Sequence, residues 1–376
     1  MKTLILANSP HVPSGYGVIS RLLSQSLIKF GHQVAIAANY GISGALVGSN
    51  PAIYPSSQTR AGDGYVWAAI EHFKPDVVIS IYDAWALEFP LDRRTQHVPW
   101  IAWAPVDSEP LDGTSTRKLQ NAAGVVAMSK WGQGVLQSAG IEAHYIPLGV
   151  QTDVFSPGSQ VDARRGMDVG DAFMVGMVGR NNTAPSRKAF PEAMMAFSSF
   201  LRQHRNAYLY LHTNITQSEG GLDLMAVARE LGILERTLHC DQVQNILGFP
   251  DGYMVNLYRS LDVLLECSEA EGFGIPIVEA EACGTPVIAS KHSSMTELVS
   301  EAGGWLVGGQ LLRSVKNSWF VSPDVSDVVR ALDASWKSKQ SGMMKYRQRA
   351  AREFAERYDF EGKIAPMWTD YLKRFG

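Results

Sequence analysis

Two carboxylates bracket a glycine-rich turn in residues 268–290, SEAEGFGIPIVEAEACGTPVIAS: Glu271 stands before the turn and Glu279 beyond it. A second polar cluster, VGRNNTAPSRKAF (178–190), brings Arg180, Arg187 and Lys188 to the end of an apolar run. Cations at one strand end, facing a glycine-rich helix N-terminus on another, make a cradle for a diphosphate. The chemistry on offer is the binding of an anionic or polar ligand, with carboxylates beside it.

The elements that must position these groups can be read locally. The apolar run LDVLLEC (261–267) reads as a buried strand. Gly272 and Gly274 can take backbone angles closed to other residues. Pro276 suits the first position of a helix, which then runs through IVEAEAC to Gly284 and is stopped by Pro286. PVIAS is the next strand. Gly272, Phe273, Gly274 and Ile275 are then expected to present free N–H groups at a helix N-terminus. For one such unit taken alone, helix-dipole complementation by Glu279 and a solvated Glu271 explain the pattern equally well.

The whole chain narrows the choice. Its 376 residues suit two domains, and 45% hydrophobic with 19% charged residues is a globular composition. Cys240, Cys267 and Cys283 lack metal-ligand spacing and read as reduced core residues of a cytoplasmic protein. The opening MKTLILANSPHVP is too short in apolar residues for a signal peptide, and no stretch approaches a membrane span. Net charge is −3. Residues 1–150 hold ten Lys/Arg and ten Asp/Glu, and the remainder 24 and 27, so neither half presents a polyanion-binding field by balance.

The first half alternates apolar strands (TLILAN, QVAIAAN, PDVVISIY, PWIAWAP, AGVVAMS) with helical stretches such as GVISRLLSQSLIKFG. That is the pattern of a parallel sheet covered on both faces. A Gly/Pro/Asp-rich stretch, 147–172, reads as a linker. A second series follows: FMVGMVG (173–179), AYLYLH (207–212), DVLLEC, PVIAS and a weaker GGWLVG, with a mostly helical end from 324 to 376. Two open α/β domains are expected to face each other across a cleft at the carboxyl ends of their strands.

Most alternative chemistries lack their residues. There is no P-loop, HExxH or GxSxG, and no Asp-x-Asp pair to hold a metal on a sugar nucleotide. Gly15 and Gly17 in SPHVPSGYGVISR raise dinucleotide binding. The loop is too long for that fingerprint, however, Ser20 replaces the third glycine, and AIAANY ends without an acid.

Together these residues resemble the retaining, nucleotide-sugar-dependent glycosyltransferases of family 4, whose fold is GT-B. The family shows Glu, seven residues, then Glu, with Gly-Phe-Gly inside and Ala-Cys-Gly-Thr-Pro-Val after it. GRNN…RK, LYRSLDVLLECSEAEGFG, SMTEL and GGWLV occupy family positions, as do SGYG, PDVVISIYDAW, WAPVDSEPL and PLGVQTDVFSP in the first half.

The resemblance implies an α/β GT-B chain. It has an acceptor domain over 1–155, joined by a C-terminal helix near 360–376, and a donor domain over 156–359. It implies a metal-independent transfer from a nucleoside-diphosphate sugar, UDP- or GDP-linked, to a hydroxyl, with no separate cofactor. Glu279 would take the ribose hydroxyls and Glu271 would lie beside the donor sugar. N–H groups of Phe273 to Ile275 would contact its hydroxyls or phosphate. Arg180 and Lys188, with Arg187 nearby, would neutralise the departing diphosphate, and Gly15 and Gly17 would let the first loop close on the phosphates.

The chain departs from the family where relatives carry a histidine near the acceptor. WAPVDSEPL has none, leaving Asp107, with Asp83 of IYDAW the other polar candidate; a turn-stabilising role suits either equally well. Tyr16, Tyr82, Trp85 and Trp103 fall near expected loop mouths, where aromatic faces stack on sugars or bases, although most such aromatics are packing residues. The acceptor is left open among a sugar, a small molecule and a modified nucleic acid base. Two other readings remain: a catalytically silent nucleotide-sugar-binding partner subunit, and a nicotinamide-dependent oxidoreductase.

Overall fold

The computed structural model describes residues 1–314 and 317–376. The chain divides into two compact units, one formed by Met1–Gly149 with Asp359–Gly376, the other by Val150–Ser314 with Trp319–Tyr358.

The first unit is built on seven parallel strands: β1 (Lys2–Ala7), β2 (Gln33–Ala38), β3 (Ala52–Tyr54), β4 (Val77–Ile81), β5 (Trp100–Ala104), β6 (Gly124–Ala127) and β7 (His144–Tyr145). Their order is β3-β2-β1-β4-β5-β6-β7. The central strands are apolar on both faces, as helices on both sides require. Ser14 caps the helix Gly15–Lys29 by accepting from Gly17 N. The C-terminal helix Ala365–Leu372 packs against that first helix. Trp368 is fully buried, its ring 4.8 Å from that of Trp103.

The second unit has six parallel strands: β8 (Phe173–Val178), β9 (Ala207–His212), β10 (Thr237–His239), β11 (Val263–Glu266), β12 (Val287–Ser290) and β13 (Trp305–Val307). They run in the order β10-β9-β8-β11-β12-β13. An antiparallel ribbon, β14 (Gly309–Arg313) with β15 (Trp319–Pro323), follows. Both sheets therefore reverse strand order beside their first strand, between β1 and β4 and between β8 and β11. Loops leaving the carboxyl ends at such a switch point diverge and leave room for a ligand.

The stretch expected as a linker is bound into the second unit. Val150 N donates to Tyr358 O at 3.0 Å, Arg352 Nη1 donates to the carbonyls of Thr152 and Phe155, and Gln160–Ala163 forms a helical turn. At the amino ends of its strands, buried Asp262 accepts from Arg164 at 2.8 Å, Lys339 at 2.9 Å and Met174 N at 2.8 Å. No helix among the described residues is long and apolar enough to cross a membrane.

Candidate functional site

In the second unit β11 ends at Glu266, and residues 267–274 turn into the helix Ile275–Ala282. Gly274, the residue before that helix, has φ +114°, where any side chain is strained. Pro276 occupies the second helical position rather than the first, since Ile275 already begins the helix. Two serines shape the turn. Ser293 Oγ accepts from Glu271 N at 2.9 Å, and Ser294 Oγ donates to the carbonyls of Glu271 (2.8 Å) and Phe273 (2.5 Å). With those carbonyls held from behind, the N–H groups of Gly272, Phe273, Gly274 and Ile275 have no hydrogen-bond acceptor among the described residues.

Lys188 reaches this turn from the loop after β8. Its Nζ donates to Glu266 Oε1 at 3.0 Å and to Glu271 Oε1 at 2.5 Å, and Gly179 lies against its stem. Burial works against the ammonium, but the two carboxylates outweigh it and raise the Lys188 pKa. Burial also pushes Glu271 up; Lys188 and then Arg187 override it, so Glu271 ends below its ordinary value. Glu266 goes the other way. Burial lifts it, and the charge of Glu271 adds to the lift.

Glu279 sits on the helix after the turn. It accepts from the Tyr258 hydroxyl at 2.7 Å through Oε2, and burial raises its pKa to about 7. Tyr258 is itself fully buried and fixed through its own carbonyl, which accepts from Thr285 Oγ1 at 2.7 Å.

The structure brings together Lys188, Glu271 and the 272–275 turn. Arg180 pairs with Glu219 at 3.1 Å, both side chains about half exposed, and its neighbour Asn181, only 1% exposed, is bonded into the 213–222 loop. Arg187 Nη1 donates to Ala270 O at 2.7 Å, supporting the turn from its side. A cavity of about 430 Å³, lined by residues including Arg165, Tyr210, His239 and Tyr253, has none of these groups in its lining. Two further groups at the site, Glu266 and Tyr258, are not singled out by the sequence pattern. The signal for Glu266 was a lone acid inside an apolar strand; Tyr258, in an ordinary amphipathic helix, gave none.

In the first unit, Tyr16, Asp83 and Tyr82 meet beyond the ends of β1 and β4. The Tyr16 hydroxyl donates to Asp83 Oδ2 at 3.3 Å, and the Tyr16 and Tyr82 rings are 5.5 Å apart. Trp85 carries the Arg60 guanidinium over its ring at 4.6 Å, and its carbonyl accepts from Lys118 at 2.8 Å. Asp107 accepts from Ser108 Oγ at 3.1 Å. Gly17 has a packing reason to be glycine: a Cβ there would lie 2.2 Å from Val12 O. Trp103 is no ligand platform, because it is fully buried with its indole N–H donating to Ile146 O at 2.8 Å.

Comparison with known proteins bears on the fold and on one segment of the second unit. Residues 233–316 match the family model described as glycosyl transferases group 1. The D-inositol 3-phosphate glycosyltransferase of Acidothermus cellulolyticus is 30% identical over 173 residues, 44% of this chain and 36% of that protein. Its counterpart in Segniliparus rotundus is 26% identical over 231 residues, 60% of this chain and 46% of that one. The chain thus spans less than half the length of these curated relatives. Over its full length it superposes on the sucrose-phosphate synthase of Thermosynechococcus elongatus (TM-score 0.77, 17% identity, covering 98% of that chain). It likewise superposes on Anabaena Alr3699/HepE in complex with UDP-glucose (TM-score 0.74, 17% identity, 100% of both chains). The chain therefore has the GT-B fold, two Rossmann-like α/β units, and carries over residues 233–316 a segment similar to the glycosyl transferases of group 1.

Proposed function

We propose that this chain is a retaining, metal-independent glycosyltransferase of family 4, which moves a sugar from a nucleoside-diphosphate sugar to a hydroxyl acceptor. The observation that carries the reading is the contact of Lys188 with Glu271 at the turn whose N–H groups open a helix, at the switch point of the second sheet. An ammonium and a set of backbone donors there suit a diphosphate, and the neighbouring carboxylates suit sugar hydroxyls. The group 1 segment and the UDP-glucose held by Alr3699/HepE support a nucleotide sugar as the donor.

On this reading, negative charge grows on the diphosphate as the glycosidic bond breaks, and the sugar gains oxocarbenium character. Lys188 and the N–H groups of Phe273 to Ile275 stabilise the first without reorganising. Glu271 lies beside the sugar and favours the second. Glu279 takes the ribose hydroxyls, displacing the Tyr258 hydroxyl or sharing its carboxylate with it. Arg180 neutralises phosphate only after leaving Glu219, so its contribution is smaller than that of Lys188. Acceptor recognition is assigned to the first unit, around Asp83, Trp85, Tyr16 and Asp107, for a sugar, a small molecule or a modified nucleic acid base.

The test is donor turnover by purified protein in EDTA with UDP- and GDP-sugars, followed by NMR of the product's anomeric centre. Transfer or hydrolysis with the donor's configuration kept supports the reading. Inversion, or strict dependence on added metal, overturns it. Nucleotide binding without turnover of any donor favours the silent partner subunit instead.

A further inference from the structure

Lys188 meets more negative charge than it carries. Its Nζ lies 3.0 Å from Glu266 and 2.5 Å from Glu271, and the three side chains are only 14%, 4% and 11% exposed. With both carboxylates ionised, these three side chains carry one net negative charge, which Arg187 offsets from the side of Glu271. A diphosphate drawing on the same ammonium adds more, and negative charge brought beside a buried carboxylate favours its protonation.

The surroundings decide which carboxylate responds. Glu271 has Arg187 as a second cation acting on it, and its backbone is pinned by Ser293 and Ser294. Glu266 lies deeper, as the last residue of β11. It faces Lys188, Glu271 and the Ser268 hydroxyl, which donates to it at 2.7 Å. Cys267 and Tyr258 also lie within its electrostatic reach, and burial pushes both thiol and phenol well above their ordinary values, so both are neutral. Met177, Val178, Gly179, Phe190 and Leu265, which line a small cavity with Lys188 and Glu266, bring no charge.

We propose that Glu266 is a positioning residue that also accepts a proton: it holds Lys188 in the free protein and takes one proton from solvent when a diphosphate engages that ammonium. Part of the negative charge that the diphosphate brings is thereby offset at the moment Lys188 is needed by the ligand. This rests on the nucleotide-sugar reading and extends it to a residue outside the Glu271–Glu279 motif.

The experiment is titration calorimetry in buffers of different ionisation enthalpy, in EDTA, with UDP-glucose, GDP-glucose and ADP-glucose as probes. Their diphosphates are esterified at both ends and lack the ionisation at about pH 6 of a terminal phosphate. Wild type is expected to take up more protons than E266Q, the difference approaching about one per bound ligand near neutrality. Because Glu279 titrates in both proteins, the difference isolates Glu266. The affinity of E266Q relative to wild type should rise with pH, by about tenfold for each pKa unit by which the ligand raises Glu266. Ser268→Ala removes a hydrogen bond that favours the ionised carboxylate, and should move the uptake maximum to higher pH. Equal proton counts in wild type and E266Q, with an unmoved maximum in S268A, overturn this inference alone. Failure of all three probes to bind wild type overturns the nucleotide-sugar reading together with it.

Discussion

The Tyr258 hydroxyl donates to Glu279 Oε2 at 2.7 Å, onto a carboxylate whose pKa burial has raised to about 7. A phenol that cannot ionise and an acid reluctant to do so thus occupy the position assigned to ribose recognition.

The pH dependence of stability follows from that shift. An acid raised from 4.5 to about 7 on folding binds its proton more tightly in the native state. Between those values the unfolded chain releases the proton while the native state keeps it, so stability falls as pH rises through the window. Glu279→Gln removes this loss. The stability of E279Q minus that of wild type should grow by on the order of 2–3 kcal/mol between about pH 5 and pH 8. Urea unfolding at the two pH values measures it; a constant difference would contradict the assignment.

Lys188→Met should lower kcat by on the order of 10²–10³, since it removes a fixed cation from the developing diphosphate charge. It also leaves Glu266 and Glu271 facing each other without their ammonium, so the variant should unfold at lower denaturant. Arg180→Met should lower kcat less, because Arg180 is half exposed and engaged with Glu219. A larger loss in R180M than in K188M would reverse the roles given to the two cations.

The parts of the site that were legible in the sequence are those encoded over short spans. The strand, glycine turn and helix of 261–282 follow from an apolar run, two glycines and a proline, and the alternation of such units predicts the doubly wound sheets. What was hidden depends on residues distant in sequence. Lys188 and Glu271 are 83 positions apart and meet because β8 and β11 are neighbours. Glu266 is one acid in a buried strand, and only that neighbour relation shows what it faces. The pairing of Arg180 with Glu219, and the bonds that tie Asn181 to the 213–222 loop, depend on residues about 40 positions away that no local pattern reveals. Trp103, one of four aromatics expected near loop mouths, proves to be a packing residue because Trp368, 265 positions on, lies against it. No sequence pattern marks the ribbon β14–β15, since β14 is exposed throughout and β15 is only partly buried, with no continuous buried apolar run in either.

Asp262 separates stability from function within one strand. It sits at the opposite end of β11 from the turn and pairs with Arg164 and Lys339, its own side chain 3% exposed. Asp262→Ala should cost about 3–5 kcal/mol in urea unfolding, because two cations lose their buried partner. Nucleotide affinity of the folded fraction should stay within about twofold, less than 0.5 kcal/mol. A selective loss of binding without loss of stability would be the contrary result.

In the first unit, Gly17→Ala should destabilise by about 1–3 kcal/mol, since the new Cβ would press on Val12 O at 2.2 Å and the neighbour is backbone. Thermal unfolding of G17A against wild type checks it, and an unchanged midpoint would mean that the loop yields freely.

The central claim is that the second unit holds a nucleoside diphosphate between Lys188, Glu279 and the 272–275 turn. Its most direct measurement is calorimetric titration of wild type and Glu279→Ala with UDP, GDP, ADP and NAD in EDTA. The account predicts that one diphosphate binds wild type with micromolar affinity and that E279A loses most of it. NAD binding alone, or diphosphate binding equal in both proteins, would contradict it.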